Sequence, residues 1–459
     1  MCGVIGLIST LNIPDNPIKI YEGLTFLQHR GQDSTGICNE TQCIKKDGLV
    51  KNAFSNEDLL SLTSNICMGH VRYGTNGNFS SNTIQPLEKV IMEYTRVHLC
   101  HNGHIINADE IEVNQSDSEV VLNLFCHLLE KKAPNEIDIN VDNIFEVIHD
   151  MMKMLKGSYS IIMTIQNFGL ICFRDPRGIR PLCYGIKDND YLVSSESVAI
   201  DALDFQMIRD VNPGEIIIFE HNSKPRFSAA LPNKTPCLFE YIYFARIDSV
   251  IDGISVYDAR YRMGQLLANK IKSSLPHISD IDLIVPVPES GLIFALGLQS
   301  ILQIPMHYGL VKNPYIERTF IMKNDEIIQK SIKRKLNFVR EVIQDKNILI
   351  VDDSIVRGNT SSHIIQMAKK AGAKNIYFAS GSPPIINTNH YGIYIPTREQ
   401  LVAVNRNEQE IADVLGATKV IYNDMDAIVN MLKQINPQIK GFESSIWGIA
   451  SPMDYNPCS

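Results

Sequence analysis

The sequence predicts two domains of mixed α/β character built on different plans. Three observations carry this. First, 459 residues suffice for two or three domains at roughly 150 residues each. Second, residues 221–236, HNSKPRFSAALPNKTP, are rich in Pro, Ser and Asn and read as a linker. Third, the hydrophobic rhythm differs on its two sides. Before it, strand-like runs crowd together, so an α+β domain of antiparallel sheets covered by helices is expected. After it, apolar runs alternate with helical segments, the pattern of a doubly wound parallel α/β sheet. The expected domains are 2–225 and 237–459.

In the first domain the strand-like runs are 4–8, 96–99, 159–165, 169–174, 191–194 and 215–219, punctuated by Gly, Asn and Asp. Helical periodicity marks 18–28, through Ile18, Tyr21, Leu24 and Leu27, and also 117–129 and 143–155. In the second domain the apolar runs are 280–288, 304–311, 347–353 and 375–381. Helical segments 257–272, 291–302 and 361–371 lie between most of them.

Composition narrows the class. Apolar residues are 44% and charged residues 20%, ordinary for a globular protein. A net charge of −8 argues against a general binder of nucleic acid or anionic membrane. No apolar run approaches the ~18 residues of a membrane span. The start, MCGVIG, lacks a basic region and a long apolar core, so no signal peptide is expected. Ten cysteines without a C-x-x-C pair suggest a reducing, cytoplasmic setting.

Residues 348–362, ILIVDDSIVRGNTSS, carry the sharpest motif. An apolar strand ends in Asp352 and Asp353, turns through Ser354, Arg357 and Gly358, and enters a helix at Asn359, Thr360 and Ser361. Such a loop presents backbone N–H groups and the positive end of a helix dipole to an anion. The acids suit ribose hydroxyls or Mg²⁺. By the residues alone, a plain turn with a capping serine remains equally open. At the other end, Cys2 becomes residue one if Met1 is removed. A terminal amine, near pH 8, could then serve as base to its own thiol; a buried structural cysteine is the plainer alternative.

The loop resembles the 5-phosphoribosyl-1-pyrophosphate (PRPP) motif of the phosphoribosyltransferases. Cys2 together with FLQHRGQDSTGI (26–37), HVRYGTNG (70–77), HNGHI (101–105) and QSDSE (115–119) resembles the N-terminal-nucleophile glutamine amidotransferases. That resemblance implies a four-layer αββα glutaminase domain beside the phosphoribosyltransferase domain. It implies Cys2 as nucleophile and Asn102 and Gly103 as oxyanion donors. It implies Arg30, Gly31, Arg72 and Asp117 around glutamine, with Arg72 on the α-carboxylate and Asp117 on the α-amine. The first implies Asp352, Asp353, Ser354, Arg357, Gly358, Asn359, Thr360 and Ser361 around PRPP, with Mg²⁺ near Ser290, Asp352 and Asp353.

Further stretches at 174–182, 194–197, 237–246, 285–291, 318–320 and 335–337 join both halves in one resemblance, to the glutamine-dependent PRPP amidotransferases. This implies ammonia released at Cys2, carried through the interior to C1 of PRPP, giving 5-phosphoribosylamine, glutamate and pyrophosphate, the entry to purine synthesis. It implies purine nucleotides as feedback inhibitors and a homodimer or homotetramer. Some members hold a 4Fe–4S cluster on four cysteines. Here Cys237 fills one such position, Asn389 stands at another and GFESSIWG (441–448) has none, so no cluster is expected. A lid at 318–337 departs from the family pattern at Lys323 and Asp325, Ile247 replaces a proline, and Tyr394 replaces an acid. These changes leave open a PRPP- or nucleotide-binding paralogue with altered acceptor or lost coupling.

Overall fold

The computed structural model describes residues 2–449 apart from 75–82, 222, 316–334, 394 and 396. Met1, Tyr394 and the lid residues Arg318, Lys323 and Asp325 lie outside the described residues.

The first half is organised by a strand with two apolar faces. Along β1 (Gly3–Ile8) every residue is buried. Val4 and Ile8 face one core, Ile5 and Leu7 another, because successive side chains of a strand point to opposite sides. The other strands are β2 (Ser34–Asn39), β3 (Cys43–Asp47), β4 (Ile66–Arg72), β5 (Leu87–Ile91), β6 (Thr95–Ile105), β7 (Gly157–Ile165), β8 (Gly169–Arg174), β9 (Cys183–Lys187), β10 (Asp190–Ser194), β11 (Gln206–Asp210), β12 (Ile216–Glu220) and β13 (Arg226–Phe227). They form two antiparallel sheets, ordered β11-β9-β10-β1-β4-β2-β3 and β13-β12-β8-β7-β6-β5. Val4, Ile8 and Met68 of the first sheet meet Ile162, Leu170 and Cys172 of the second. The helix Asp15–Phe26 covers the outer face of the first through Ile20 and Leu24. Helices Asp117–Lys132 and Val141–Met154 cover the second through Val121, Phe125, Ile144 and Ile148. The four layers run helix, sheet, sheet, helix.

The helix Asp117–Lys132 has a legible start and stop. Ser116 and Glu119 form a reciprocal capping box, and Lys131 and Lys132 sit in the last turn, where cations complement the helix dipole.

The second half contains β14 (Val250–Ile251), β15 (Ile254–Ser255), β16 (Leu283–Pro286), β17 (Leu310–Lys312), β18 (Leu336–Phe338), β19 (Asn347–Asp352), β20 (Asn375–Ser380) and β21 (Lys419–Tyr422). Strands β16-β19-β20-β21 make a parallel sheet. Met306 adds a single parallel bridge to Ile284 on the free side of β16. The run 304–311, expected as a full strand of this sheet, therefore contributes one residue. Gly309 turns the backbone, its N–H bonding to His307 O, and β17 pairs antiparallel with β18 instead. With Met306 counted, the chain order across the sheet reverses between β16 and β19. Ligands of doubly wound sheets sit at the carboxyl ends of strands at such a reversal, here Pro286 and Asp352.

The stretch read as a linker is not a loose tether. It holds β13, which pairs with β12 just past residue 225. Further on, Lys234 Nζ lies 2.8 Å from Asp252 Oδ1. Asp252, in the β14–β15 turn, also receives two bonds of 3.0 and 2.8 Å from Arg174 of β8. Both Arg174 and Asp252 are buried, so the first half is ionically locked to the second. Removing one charge of such a buried set costs about 3 kcal/mol or more. Asp252→Asn tolerates the left-handed turn (φ 48°) and should lower stability to chemical denaturation by that order. An unchanged denaturation midpoint would refute the lock.

Candidate active site

The antiparallel register sets the first site. Gly3 pairs with Val71, and Ser34 of β2 with Arg72, so Cys2 begins beside the end of β4. From the second sheet, β6 brings Asn102 and Gly103. The Cys2 N–H donates to Asn102 Oδ1 at 3.1 Å. Asn102 is fully buried, and its Nδ2 has no partner among the described residues. A buried amide with an idle donor is costly, so the group is poised for something the chain does not supply. Gly103 is obligatory on space: a Cβ there would lie 1.9 Å from Ser158 O.

Around this point stand the other expected residues. Gly31 packs on the Arg72 backbone, and its N–H donates to Gln28 O at 3.3 Å. Arg72 Nη1 donates to Thr83 Oγ1. Asp117 opens its helix, where its carboxylate accepts from the N–H groups of Ile105 at 3.2 Å and Ser118 at 2.9 Å. His104 Nδ1 lies 3.3 Å from it. Burial pushes the Asp117 carboxyl up, but His104, the positive potential of His101 and the Ile105 N–H outweigh that and hold it at about 2.

Arg30 departs from the expectation. Its side chain is wholly buried and its guanidinium is already engaged. Nε donates to Cys2 O at 3.0 Å. Nη1 bonds Glu196 and, at 3.1 Å, Glu240; Nη2 bonds Glu240 at 2.7 Å. Burial alone would lower this guanidinium, but Glu240 and Glu196 carry it well above its usual range. The Arg30 guanidinium is thus spent on the Cys2 carbonyl and two carboxylates. Arg180 approaches the same Glu240 at 3.4 Å and also donates to Tyr391 O. Glu240 and Tyr391 belong to the second half.

The second site forms where the parallel sheet reverses. Ser290 Oγ donates to Asp352 Oδ1 at 2.7 Å, and Asp353 N–H to the same oxygen at 2.9 Å. Ser354 Oγ donates to Asp353. Both acids are buried; burial and then the Asp353 charge push the Asp352 carboxyl well up. Gly358, at φ 81°, adopts the left-handed conformation that starts the helix Asn359–Lys370. It has no side chain to cap that helix, so the N–H groups of Asn359, Thr360 and Ser361 face outward. Arg357, Asn359 and Thr360 are exposed, Ser354 is half-buried and Ser361 buried.

The comparisons with known proteins agree on one family. Residues 76–202 match the family described as glutamine amidotransferase domain. The amidophosphoribosyltransferase of Pasteurella multocida is 40% identical, over all of this chain and 94% of its own length. The chain belongs to the amidophosphoribosyltransferase family. The Saccharomyces cerevisiae amidophosphoribosyltransferase is 37% identical over 97% of the chain and 91% of its own length. A solved glutamine PRPP amidotransferase from B. subtilis, complexed with ADP and GMP, aligns at TM-score 0.81 and 32% identity. It covers 97% of this chain, which covers 95% of it. A structure described as the allosteric regulatory enzyme of purine biosynthesis aligns at 0.84 with 32% identity, covering 98% and 96%.

The activity is accordingly that of an amidophosphoribosyltransferase, glutamine-dependent amination of PRPP as the first step of purine biosynthesis. A paralogue with lost coupling is not favoured by similarity of this extent. Sequence reasoning missed Glu196, Glu240 and Arg180 as parts of the site. The signal was present in Glu240, a lone carboxylate inside the apolar run CLFEYIYF (237–244), which needs a buried cation.

Asp117 also makes a stability statement. Its pKa in the fold lies below the ordinary ~3.9 of an unfolded Asp. The stabilisation is thus complete above ~4 and is lost as pH falls through about 2. Asp117→Asn should cost about 2 kcal/mol at neutral pH and flatten the acid limb of a melting-temperature profile. Identical profiles for variant and wild type would refute this.

Proposed function

We propose that residues 2–225 hydrolyse glutamine and residues 237–459 aminate PRPP, with the site roles as follows. Once Met1 is removed, the Cys2 amine takes the thiol proton. The thiolate attacks the glutamine carboxamide carbon, forming a C–S bond. Asn102 Nδ2 and the Gly103 N–H take the negative oxygen. The ammonium returns a proton to the leaving nitrogen, ammonia departs, and water cleaves the thioester to glutamate. Arg72 holds the α-carboxylate and Asp117, ionised across the physiological range, holds the α-amine. Gly31 borders the glutamine pocket, and Arg30 holds the Cys2 carbonyl.

Ammonia then moves through the interior, sheltered from protonation, to C1 of PRPP, and pyrophosphate leaves. Ser354, Arg357, Gly358, Asn359, Thr360 and Ser361 cradle the 5-phosphate, and Asp352 and Asp353 meet the ribose hydroxyls. An all-oxygen set of two buried acids and the Ser290 hydroxyl fits a hard cation. Mg²⁺ held by Ser290, Asp352 and Asp353 would neutralise charge on the departing pyrophosphate. One thiolate, Cys237, cannot hold a 4Fe–4S cluster; Asn389 instead donates to Glu443 at 3.2 Å and to Ser445 at 3.3 Å. A solved relative holds ADP and GMP, which supports purine nucleotides as inhibitors at the PRPP site. We also expect a homodimer or homotetramer. No helix among the described residues is long and apolar enough to cross a membrane.

The observation that carries the glutaminase reading is the split use of Asn102, its oxygen on the Cys2 nitrogen and its donor idle. Cys2→Ala should abolish pyrophosphate release with glutamine and keep it with ammonium salts. Asn102→Ala should lower glutamine-dependent kcat by about 10²–10³ with ammonia use preserved. Cys2→Ala that still uses glutamine, or intact-mass data showing Met1 retained on active protein, would overturn the reading.

A further inference from the structure

At the far end of the strands that carry the glutaminase site lies a second cluster of donors. Strands β2 and β3 form a hairpin in which Cys38 and Cys43 are direct ladder partners. The loop between them is braced by Asn39, whose Oδ1 accepts from Thr41 N at 2.9 Å, Thr41 Oγ1 at 3.2 Å and Gln42 N at 2.8 Å. From the opposite sheet, β6 brings His98, completely buried. The His98 ring has no oxygen or nitrogen partner among the described residues, and only the Cys43 thiol bears on it. One donor atom from each of Cys38, Cys43 and His98 lies within 4.8 Å of the other two. Cys2 and Asn102 sit four residues away along the same strands or beside their ends, roughly 13 Å distant.

We propose that Cys38, Cys43 and His98 form a metal site for a thiophilic divalent cation of the zinc class, bridging the two sheets of the glutaminase half. Three features of the geometry support this. Tetrahedral zinc, with Zn–S about 2.3 Å and Zn–N about 2.0 Å, places its donors about 3.5–3.8 Å apart, within about 1 Å of their present spacing. Two thiolates and one neutral imidazole around a 2+ ion give a neutral complex, so burial between the sheets leaves no net charge in the interior. The two thiol protons leave to solvent as the ion binds. The ion also gives the buried His98 ring a firm partner in place of a weak thiol contact, which a disulfide between Cys38 and Cys43 would not do. Cys43 is half-buried, which leaves an approach for the ion. The site is separate from Ser290, Asp352 and Asp353, whose oxygen donors select a harder cation.

The test uses the full chain, freed of metal under reducing conditions and titrated with cobalt(II) chloride. The expected result is one cobalt per chain with a thiolate-to-cobalt charge-transfer band and the visible bands of a tetrahedral ion, displaced by zinc. Cys2→Ala, which removes the other partly exposed thiol among the described residues, should keep these bands. Cys43→Ser and His98→Gln should lose them while retaining glutamine-dependent activity and a folded circular-dichroism spectrum. Absence of the bands in the wild type, their loss in Cys2→Ala, or their persistence in both Cys43→Ser and His98→Gln would overturn the proposal. So would a Cys38–Cys43 disulfide found by non-reducing peptide mass analysis of protein purified from the cytosol.

Discussion

Two guanidiniums and two carboxylates buried at the junction of the halves organise this molecule. Arg30 holds the carbonyl of Cys2 and is itself held by Glu196 of the first half and Glu240 of the second. Arg180 completes the set on Glu240. The charges sum to zero, which is how four ions can share a water-poor interior. Glu196 is kept ionised: burial would raise its pKa, but His29 and Arg30 hold it well below the usual carboxylate range. Ser249 Oγ, at 2.7 Å, and the Arg246 N–H, at 3.0 Å, fill its remaining oxygen from the second half. Arg30, which holds the Cys2 carbonyl, is thus fixed by partners from both halves, Glu196 from the first and Glu240 from the second. Such arrangements contribute less to net stability than to fixing one arrangement over others, since any misdocking strands an ion.

The same junction reaches toward the Asp352–Asp353 end of the parallel sheet. Glu240 opens a wide single turn of π-helix, Glu240–Phe244, closed by the Ala245 N–H on Glu240 O at 3.1 Å. Arg260 secures that turn by donating to Tyr241 O at 2.9 Å and Ala245 O at 2.8 Å. Burial lowers the Arg260 guanidinium to about 10, and the Asp353 charge acts against that fall. Hydrogen bonds and ion pairs thus run from Cys2 through Arg30 and Glu240 to the turn held by Arg260, whose charge is felt by Asp353.

Much of this was legible in the residues. The strand–acid–acid–loop–helix run was legible as local structure because each piece has its own signature: an apolar run for the buried strand, two acids at its end, and a glycine at positive φ opening the helix. The four-layer half was legible through β1, β7 and β8, whose apolar runs are long. Strands β3 and β11 were not, because their half-exposed faces carry Lys, Gln and Arg in place of a clean alternation. Residues 304–311 misled in the other direction, since β-branched and apolar content cannot say where a turn at Gly309 ends the pairing. Arg30 was placed beside Cys2, but its buried carboxylate partners were not foreseen. Its partners lie 166 and 210 residues away in sequence, and no local pattern reports contacts of that range.

One small contact between the halves has a larger meaning. Gly392 of the second half lies against Gly103, close enough that a side-chain carbon there would come within 3.2 Å of the Gly103 carbonyl. Ser158 and Arg180 tie the preceding residue, Tyr391, to the same place through its carbonyl. At this seam backbone meets backbone, and since Gly392 holds a positive φ of 91°, a larger residue there would be strained and would press the halves apart by a few tenths of an ångström. The fit of one half on the other is thus registered by bare peptide, a ruler with no side chain to adjust.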